Sequence, residues 1–328
     1  MKYPFKRILV TGGCGFIGSA YIDVICSKFS DIEILNIDNL SYAVSKKTIE
    51  ELDNFSNYKL KNINISNYKK IYKEISEFKP DLIINFAAES HVDNSIKNSK
   101  PFIDTNIIGT FNLLEGLRNA EVNCLFHHIS TDEVFGDLNS DDKPFTELNR
   151  YLPSSPYSAS KAASDHLVRS WSRTYGIDYL ITNCSNNFGP RQHFEKLIPK
   201  IINNSVNDKP IPVYGDGKNI RDWIYVYDHV DMLIKLHASG AKCDEFNIGT
   251  NNEMTNIELI KVLTNILKND FGIKAHMSFI DDRKGHDRRY AIDNKKLLEH
   301  LNITNKSFNN IDSFKSTVSW YVENKNWW

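Results

Sequence analysis

Residues 128–136 read His128-Ile129-Ser130-Thr131-Asp132-Glu133-Val134-Phe135-Gly136, and Tyr157-Ser158-Ala159-Ser160-Lys161 begins 21 residues after Gly136. Brought to one site, these segments supply a hydroxyl, two acids, a phenol and an ammonium. Such a set can oxidise an alcohol, abstract an adjacent proton and expel water in a single pocket. Few reactions need all three steps. Ser154-Ser155-Pro156 has the form of a helix start, with Ser155 as cap and Pro156 at the first helical position. Tyr157 and Lys161 then stand at i and i+4 on one helix face. An ammonium beside a phenol favours phenolate, so Lys161 is expected to lower the Tyr157 pKa toward use as a base.

A second segment is built to hold a nucleotide. Gly12-Gly13-Cys14-Gly15-Phe16-Ile17-Gly18 follows a short apolar strand and opens a helical stretch. Gly12 suits the tight turn, Gly15 the approach of a pyrophosphate, and Gly18 the close packing of helix on strand. Phosphates would then meet the positive end of the helix. Asp38 comes 20 residues after Gly18. A carboxylate there accepts both hydroxyls of the adenosine ribose and repels a 2′-phosphate, so the expected cofactor is NAD.

These residues need a frame. Ile8-Leu9-Val10, Glu33–Asp38, Leu60–Ile65, Asp81–Phe86, Cys124–Ile129 and Tyr179–Thr182 read as strands. Helical patterns at Gly15–Phe29, Asn67–Phe78, Ile107–Ala120 and Tyr157–Tyr175 separate them. Apolar strands alternating with helices indicate an α/β fold, a doubly wound parallel sheet of Rossmann type covered on both faces. Past Asn183, Gly189-Pro190, Gly215-Asp216-Gly217 and Gly249-Thr250-Asn251-Asn252 punctuate short strands. Thr255 caps an amphipathic helix carrying Ile257, Leu259, Ile260, Leu263 and Leu267. The expected division is a nucleotide-binding domain over 1–185, with a segment returning to it near 223–240, and a smaller mixed α/β substrate lobe mostly over 186–328.

Composition excludes several classes. The chain of 328 residues is 41% hydrophobic and 25% charged with formal net charge −1, which gives nucleic acid or anionic lipid no basic surface. No apolar run approaches the roughly 20 residues of a membrane span, and Met1-Lys2-Tyr3-Pro4-Phe5 leads into a strand without an apolar signal core. A cytoplasmic protein is expected. Five cysteines without metal or redox-pair spacing read as free thiols, Cys14 being a small residue in the glycine turn.

The chain resembles the extended short-chain dehydrogenase/reductases and, within them, the dTDP-glucose 4,6-dehydratase family. The likeness runs nearly end to end. It is carried by Ala87-Ala88-Glu89-Ser90-His91-Val92-Asp93, Thr105-Asn106-Ile107, Ser130 to Val134, Ser154 to Lys161, Asn183 to Asn187, Glu195 to Pro199, Tyr214 to Gly217, Ile220 to Trp223 and Gly285 to Asp293. Sugar-nucleotide epimerases of the same superfamily resemble the first half but generally lack the adjacent acid pair. A non-catalytic NAD-binding protein would have no reason to combine Thr131, Asp132, Glu133, Tyr157 and Lys161.

The resemblance implies that Tyr157 takes the proton of the sugar 4-hydroxyl as C4 is oxidised by NAD. Thr131 orients that hydroxyl, and Lys161 holds the nicotinamide ribose. Glu133 then takes the C5 proton, and Asp132 protonates the departing 6-hydroxyl. Two neighbouring carboxyls with opposite duties need separated pKa values, so Asp132 should start neutral. NAD is regenerated each turnover and can stay bound. Beside the glycines, the implied cofactor contacts include Phe16, Ile17, Asn64, Ile65, Ala87 and Ala88. The implied nucleotide-sugar contacts are Ser90, His91, Asn187, Glu195, Lys196, Pro212, Tyr214, Arg221, Arg283 and His286. Arg288 and Arg289 could serve there or in structural ion pairs. Asn64, Phe194 and Lys284 depart from the family pattern, which usually has Asp, Pro and Pro, and they leave thymine against uracil open. A homodimer joined through helices near Pro101–Ala120 and Tyr157–Tyr175 is also implied.

Overall fold

The structure, a computed structural model, describes residues 3–283, 285–304, 308 and 310–327. Lys284 lies outside the described residues. Seven parallel strands form the main sheet in the order β10-β6-β5-β4-β1-β2-β3. They are β1 (Arg7–Thr11), β2 (Glu33–Asp38), β3 (Tyr58–Asn62), β4 (Leu82–Asn85), β5 (Leu125–Thr131), β6 (Tyr179–Cys184) and β10 (Asp244–Ile248). Central strands are buried on both faces: Ile8, Leu9 and Val10 of β1 and Leu82, Ile83 and Ile84 of β4 are fully enclosed. Burying each such side chain contributes about 1.5–3 kcal/mol.

Helices α1 (Phe16–Lys28), α2 (Lys46–Leu52), α3 (Tyr68–Phe78), α4 (Val92–Lys97), α5 (Lys100–Phe102), α6 (Thr110–Ala120) and α7 (Pro156–Tyr175) connect the early strands. Helix α9 (Val226–Ala238) packs against α1, and its successor β10 pairs with β6. The smaller part holds α8 (Leu197–Val206), α10 (Asn256–Phe271) and α12 (Asn310–Glu323) around a second core containing Phe188, Trp223, Leu259, Leu263 and Phe314. Its strands are short: β7 (Asn186–Phe188), β9 (Ile220–Tyr225) and β11 (Glu253–Thr255) form one sheet, and β8 (Ile211–Tyr214) pairs with β12 (Met277–Ile280). Helix α11 (Lys295–His300) follows.

Two elements differ from the sequence reading. The third strand occupies Tyr58–Asn62 rather than Leu60–Ile65, because Ile34 N–H bonds Asn57 O and so fixes the register two residues earlier. Ile63 and Ile65 are buried all the same, but as part of the wall beyond the strand end. The helix expected from Ile107 instead starts at Lys100 and passes through a π-helical turn over Ile103–Gly109. Gly109 lies against the Ile65 side chain, where a Cβ would not fit.

Candidate active site

A cavity of about 310 Å³ opens at the carboxyl ends of the main strands. It sits where the strand order reverses between β1 and β4, the position that doubly wound sheets leave open for ligands. Its floor is the turn after β1. Gly12 has φ +69°, and a Cβ there would stand 2.6 Å from Ala87 N; one on Gly18 would stand 2.5 Å from Gly12 O. Both positions therefore need glycine. Gly15, Phe16, Ile17, Asn64, Ile65, Ala87 and Ala88 all line the same cavity, as does Asp38 at the end of β2. The Asp38 carboxylate accepts from Cys14 N at 2.9 Å and Leu40 N at 2.8 Å, and burial raises its pKa. A glycine cradle at a helix start and a buried carboxylate lining the same cavity fit a dinucleotide.

The reactive groups meet at the far end of this cavity. Thr131 closes β5, Asp132 and Glu133 form the 3₁₀ turn that follows, and Tyr157 and Lys161 come from the first turns of α7. All five line it. Ser155 and Ser158 make reciprocal capping bonds, which fix where α7 begins and hence where Tyr157 points. Thr131 Oγ1 donates to Asp132 Oδ1 at 3.2 Å and accepts from Glu133 N at 3.3 Å.

The two acids are unequal. Asp132 is raised well above the usual carboxylate range, by burial first and then by the Glu133 charge. Glu133 is raised too, by burial, but Arg221, Arg283 and Lys196 oppose the shift. Among the described residues Asp132 Oδ2 is buried without a hydrogen-bond partner, which suits the neutral form better than the charged one. Asp132 can give a proton while Glu133 takes one.

The tyrosine corrects a sequence expectation. Its pKa is pushed well above 10, by burial first, then by Glu133 and Cys184, while the Thr131 hydroxyl opposes the shift. Lys161 Nζ does not turn to the phenol: it donates to Ile129 O at 2.8 Å and lies 3.3 Å from His128 Nε2. Burial lowers Lys161 to about 8 even with Asp165 nearby.

A polar network behind Lys161 escaped the sequence reading. Asp165 is fully enclosed, accepts from Ser130 Oγ at 2.8 Å and Tyr151 Oη at 3.0 Å, and faces His128 Nε2 at 3.4 Å. The Asn85 amide fixes the imidazole. Thr11 Oγ1 donates to Asn85 Oδ1 at 2.6 Å, and Thr110 Oγ1 spends its hydrogen on Asn106 O. Asn85 Nδ2 is therefore the donor to Thr110 Oγ1 and to His128 Nδ1, leaving the His128 proton on Nε2. The i, i+4 spacing of Lys161 and Asp165 was the available signal. Nothing local pointed to His128.

The substrate-side residues fall into two groups. Ser90, Asn187, Glu195 and Lys196 line the cavity. Lys196 Nζ reaches Ser90 O at 2.8 Å, and Glu195 receives the Tyr42 hydroxyl. Tyr42, His193 and Gln192 were not among the residues singled out from the sequence; they sit on loops whose approach depends on the whole fold. His91 stands 4.0 Å from Glu195 at the rim.

The second group gathers around Asp93, outside this cavity. Tyr214 Oη donates to Asp93 Oδ2 at 3.2 Å, Arg283 pairs with Oδ1 at 3.5 Å, and His286 bonds Asp282 at 2.6 Å. Pro212 lies on β8 beside them. Arg221 differs from the expectation of a ligand-facing cation. It is buried, donates to the carbonyls of Ile220, Arg288 and Asp287, and packs 4.0 Å over the Tyr290 ring. Its charge still reaches Asp132 and Glu133. Arg288 pairs with Asp216, and Arg289 binds Glu253 with two nitrogens, so both are in ion pairs.

Comparison with known proteins agrees with this geometry. The family model described as GDP-mannose 4,6 dehydratase matches residues 9–311. A dTDP-glucose 4,6-dehydratase of Neisseria meningitidis serogroup B is 44% identical over 340 residues, covering 98% of this chain and 95% of that protein. The crystal structure of a dTDP-glucose 4,6-dehydratase from Streptomyces venezuelae, with NAD bound, superposes with TM-score 0.90 at 38% identity and 98% coverage of both chains. One from Bacillus anthracis, also in complex with NAD, gives TM-score 0.88 at 36% identity, again covering 98% of each. With likeness of this extent along both sequence and fold, the chain belongs to the dTDP-glucose 4,6-dehydratase family of the extended short-chain dehydrogenase/reductases.

Proposed function

We propose that the protein is an NAD-dependent hydro-lyase that converts dTDP-glucose to dTDP-4-keto-6-deoxyglucose and water. The observation that carries this reading is the acid pair of buried Asp132 and part-buried Glu133 sharing one cavity with Tyr157 and with the glycine-lined nucleotide cradle. The nucleotide and sugar come from the relatives, which are named for dTDP-glucose. When bound, NAD supplies a two-electron acceptor for the hydrogen of C4 and returns that hydrogen at C6. Gly12, Gly15, Gly18 and Asp38 would hold its adenosine half, with the Asp38 charge selecting against a 2′-phosphate.

The chain's own residues do the acid–base work. Tyr157 is placed to take the proton of the 4-hydroxyl, in the phenolate form that the positive charge of a bound nicotinamide would favour against burial and Glu133. Once C4 is a ketone the C5 hydrogen is acidic, and Glu133 removes it. Asp132, kept protonated by burial, gives its proton to the leaving 6-hydroxyl. Glu133 then returns its proton to C5. Lys161 is poised for the ribose next to the nicotinamide, and Lys196 and Glu195 for the sugar and phosphate. His91, Tyr214, Arg283 and His286 are placed to serve the nucleotide end.

The protein acts in the cytoplasm as a homodimer. Supporting the compartment, its cysteines are free thiols, four of them buried, and among the described residues no helix is long and apolar enough to cross a membrane. Supporting the dimer, Ile103 and Ile108 beside α6 and Tyr175 at the end of α7 are exposed apolar side chains. Incubating purified protein with dTDP-, UDP-, CDP- and GDP-glucose and weighing the products tests the assignment. Loss of one water from the dTDP sugar without added cofactor is expected. Recovery of a C4 epimer at unchanged mass would overturn it.

A further inference from the structure

Two loops contribute to the cavity wall without belonging to a strand or helix. The first, residues 39–45, follows Asp38 and gives Asn39, Ser41 and Val44 to the lining. The second, residues 189–196, gives Gln192, His193 and Lys196. They touch where the Tyr42 hydroxyl donates to Glu195 at 3.2 Å and the Tyr42 ring meets that of His193 edge to face. Each loop also holds a non-glycine residue in the left-handed region, Leu40 at φ +51° and Arg191 at φ +68°. Side chains seldom adopt that conformation unaided, so contacts from outside the loops must hold it.

We infer, on the reading of this cavity as an NAD site, that Trp327 is a clasp on both loops and governs how tightly NAD is kept. Beyond α12 the chain turns, with Trp327 N–H bonding Asn324 O at 3.0 Å and its ring 4.9 Å from that of Trp320. The side chain is buried. From there Trp327 reaches the first loop: its carbonyl accepts from Ser45 Oγ at 2.6 Å, and Lys47 Nζ lies 5.9 Å over its ring. It reaches the second through Arg191, whose guanidinium lies 6.0 Å over the same ring. Arg191 Nη2 pairs with Glu51 of α2 at 2.6 Å, and Nη1 faces Asp23 of α1 at 3.8 Å. Tyr321, in the last turn of α12, donates its hydroxyl to Gln192 O.

Ser45 shows what the clasp is for. It stands immediately before α2, where a serine ordinarily accepts from a helix N–H. It makes no such bond, and its hydroxyl goes instead to a carbonyl 282 residues away. The helix is left without a side-chain cap, and loop 39–45 gains an anchor at its far end. The near end bears directly on the cofactor, because Leu40 N–H donates to Asp38 Oδ1 at 2.8 Å. Asp38 is the carboxylate placed for the adenosine ribose. A loop released from Trp327 would therefore loosen both the wall and the orientation of that carboxylate. Trp327 acts through Ser45 and Leu40, so it is a positioning residue.

The test follows release of NAD from purified holoenzyme, with freed cofactor trapped by alcohol dehydrogenase and ethanol, and the thermal midpoint beside it. Ser45→Ala should speed release about three- to tenfold, the worth of one net hydrogen bond. Trp327→Ala should speed it roughly tenfold or more, since the ring contacts to both loops go as well. Trp327→Phe keeps the carbonyl and an aromatic ring, and should stay within about threefold of wild type. Turnover of dTDP-glucose should recover in each when NAD is supplied in excess. The control is Leu263→Ala, a hole in the core of α10, which should lower the midpoint more than Ser45→Ala and leave release unchanged. Release that follows the midpoint through every variant, the Leu263 one included, would overturn the clasp and leave Trp327 a packing residue. Unchanged release with a raised KM for dTDP-glucose would overturn it as well, by assigning the contact to the sugar side. Should Trp327→Ala fail to fold, Ser45→Ala against Trp327→Phe makes the same comparison. Wild-type protein that takes up no NAD would sink the cofactor reading, and the clasp with it.

Discussion

At the scale of single residues, the site separates what neighbours in sequence can tell from what only folding can. Thr131, Asp132 and Glu133 are consecutive, and Tyr157 and Lys161 are one helical turn apart, so their grouping is readable from spacing alone. The direction in which Lys161 points is not. It depends on His128 from a strand and on Asn85 from the next strand, 43 residues away in the chain. The phenol was expected to be acidified by the lysine; in this structure burial and Glu133 raise it instead. Asp165 is the counter-charge that holds Lys161 up against burial. Replacing it, Asp165→Asn, should lower the Lys161 pKa below its value of about 8, so that NAD affinity falls off at lower pH than in wild type. A binding titration from pH 6.5 to 9 checks this, and superimposable curves would contradict it. Glu133→Gln should block exchange of the C5 hydrogen with solvent deuterium by 10²-fold or more while C4 oxidation, seen as nicotinamide absorbance, persists. Equal loss of both would show that Glu133 is not the C5 base.

At the scale of elements, strands and long helices followed from pattern, while their ends and irregular turns did not. Strand β2 occupies Glu33–Asp38 as the apolar run suggests, since both its faces are covered. Strand β3 is half exposed along its length, and there pairing with β2 sets the limits rather than hydrophobicity. The π-helical turn at Ile103–Gly109 has no periodic signature. It lets Asn106 hold Glu89 through both its N–H and C=O, and Ser160 beside Lys161, tying a cavity wall to α7. The start of α7 rests on a capping box, so Ser155→Ala should cost about 1 kcal/mol in denaturant unfolding. A larger proportional loss should appear in activity, because Tyr157 sits in that first turn. Gly18→Ala would drive a methyl group into Gly12 O. Purified variant protein should come without NAD, as its absorbance spectrum would report; normal cofactor content would refute the packing argument.

At the scale of the molecule, several buried imidazoles make acid a hazard. His127, His128, His229 and His237 are all buried, and burial lowers each one's pKa, to about 4 for His128 and about 3 for His229 and His237. In an unfolded chain they would titrate near 6.5. As pH falls below that value the unfolded chain binds protons that the native one refuses. Stability is therefore full above about 6.5 and declines toward pH 4, by up to about 1.4 kcal/mol per pH unit for each histidine. Denaturant midpoints at pH 7 and pH 5 check this; equal midpoints would rule it out.

The doubly wound order of the sheet was legible from alternation, but the strand that completes it comes from far down the chain. Because β10 (Asp244–Ile248) forms the edge beside β6, a polypeptide still emerging from the ribosome at residue 200 has most of the catalytic side chains and an unfinished sheet. Its β6 flank, with Leu180 and Ile181 fully enclosed in the native state, would present unpaired backbone to any passing strand. Competence must therefore arrive late in synthesis, and nascent chains of this length should depend most on chaperones for protection from sticking together.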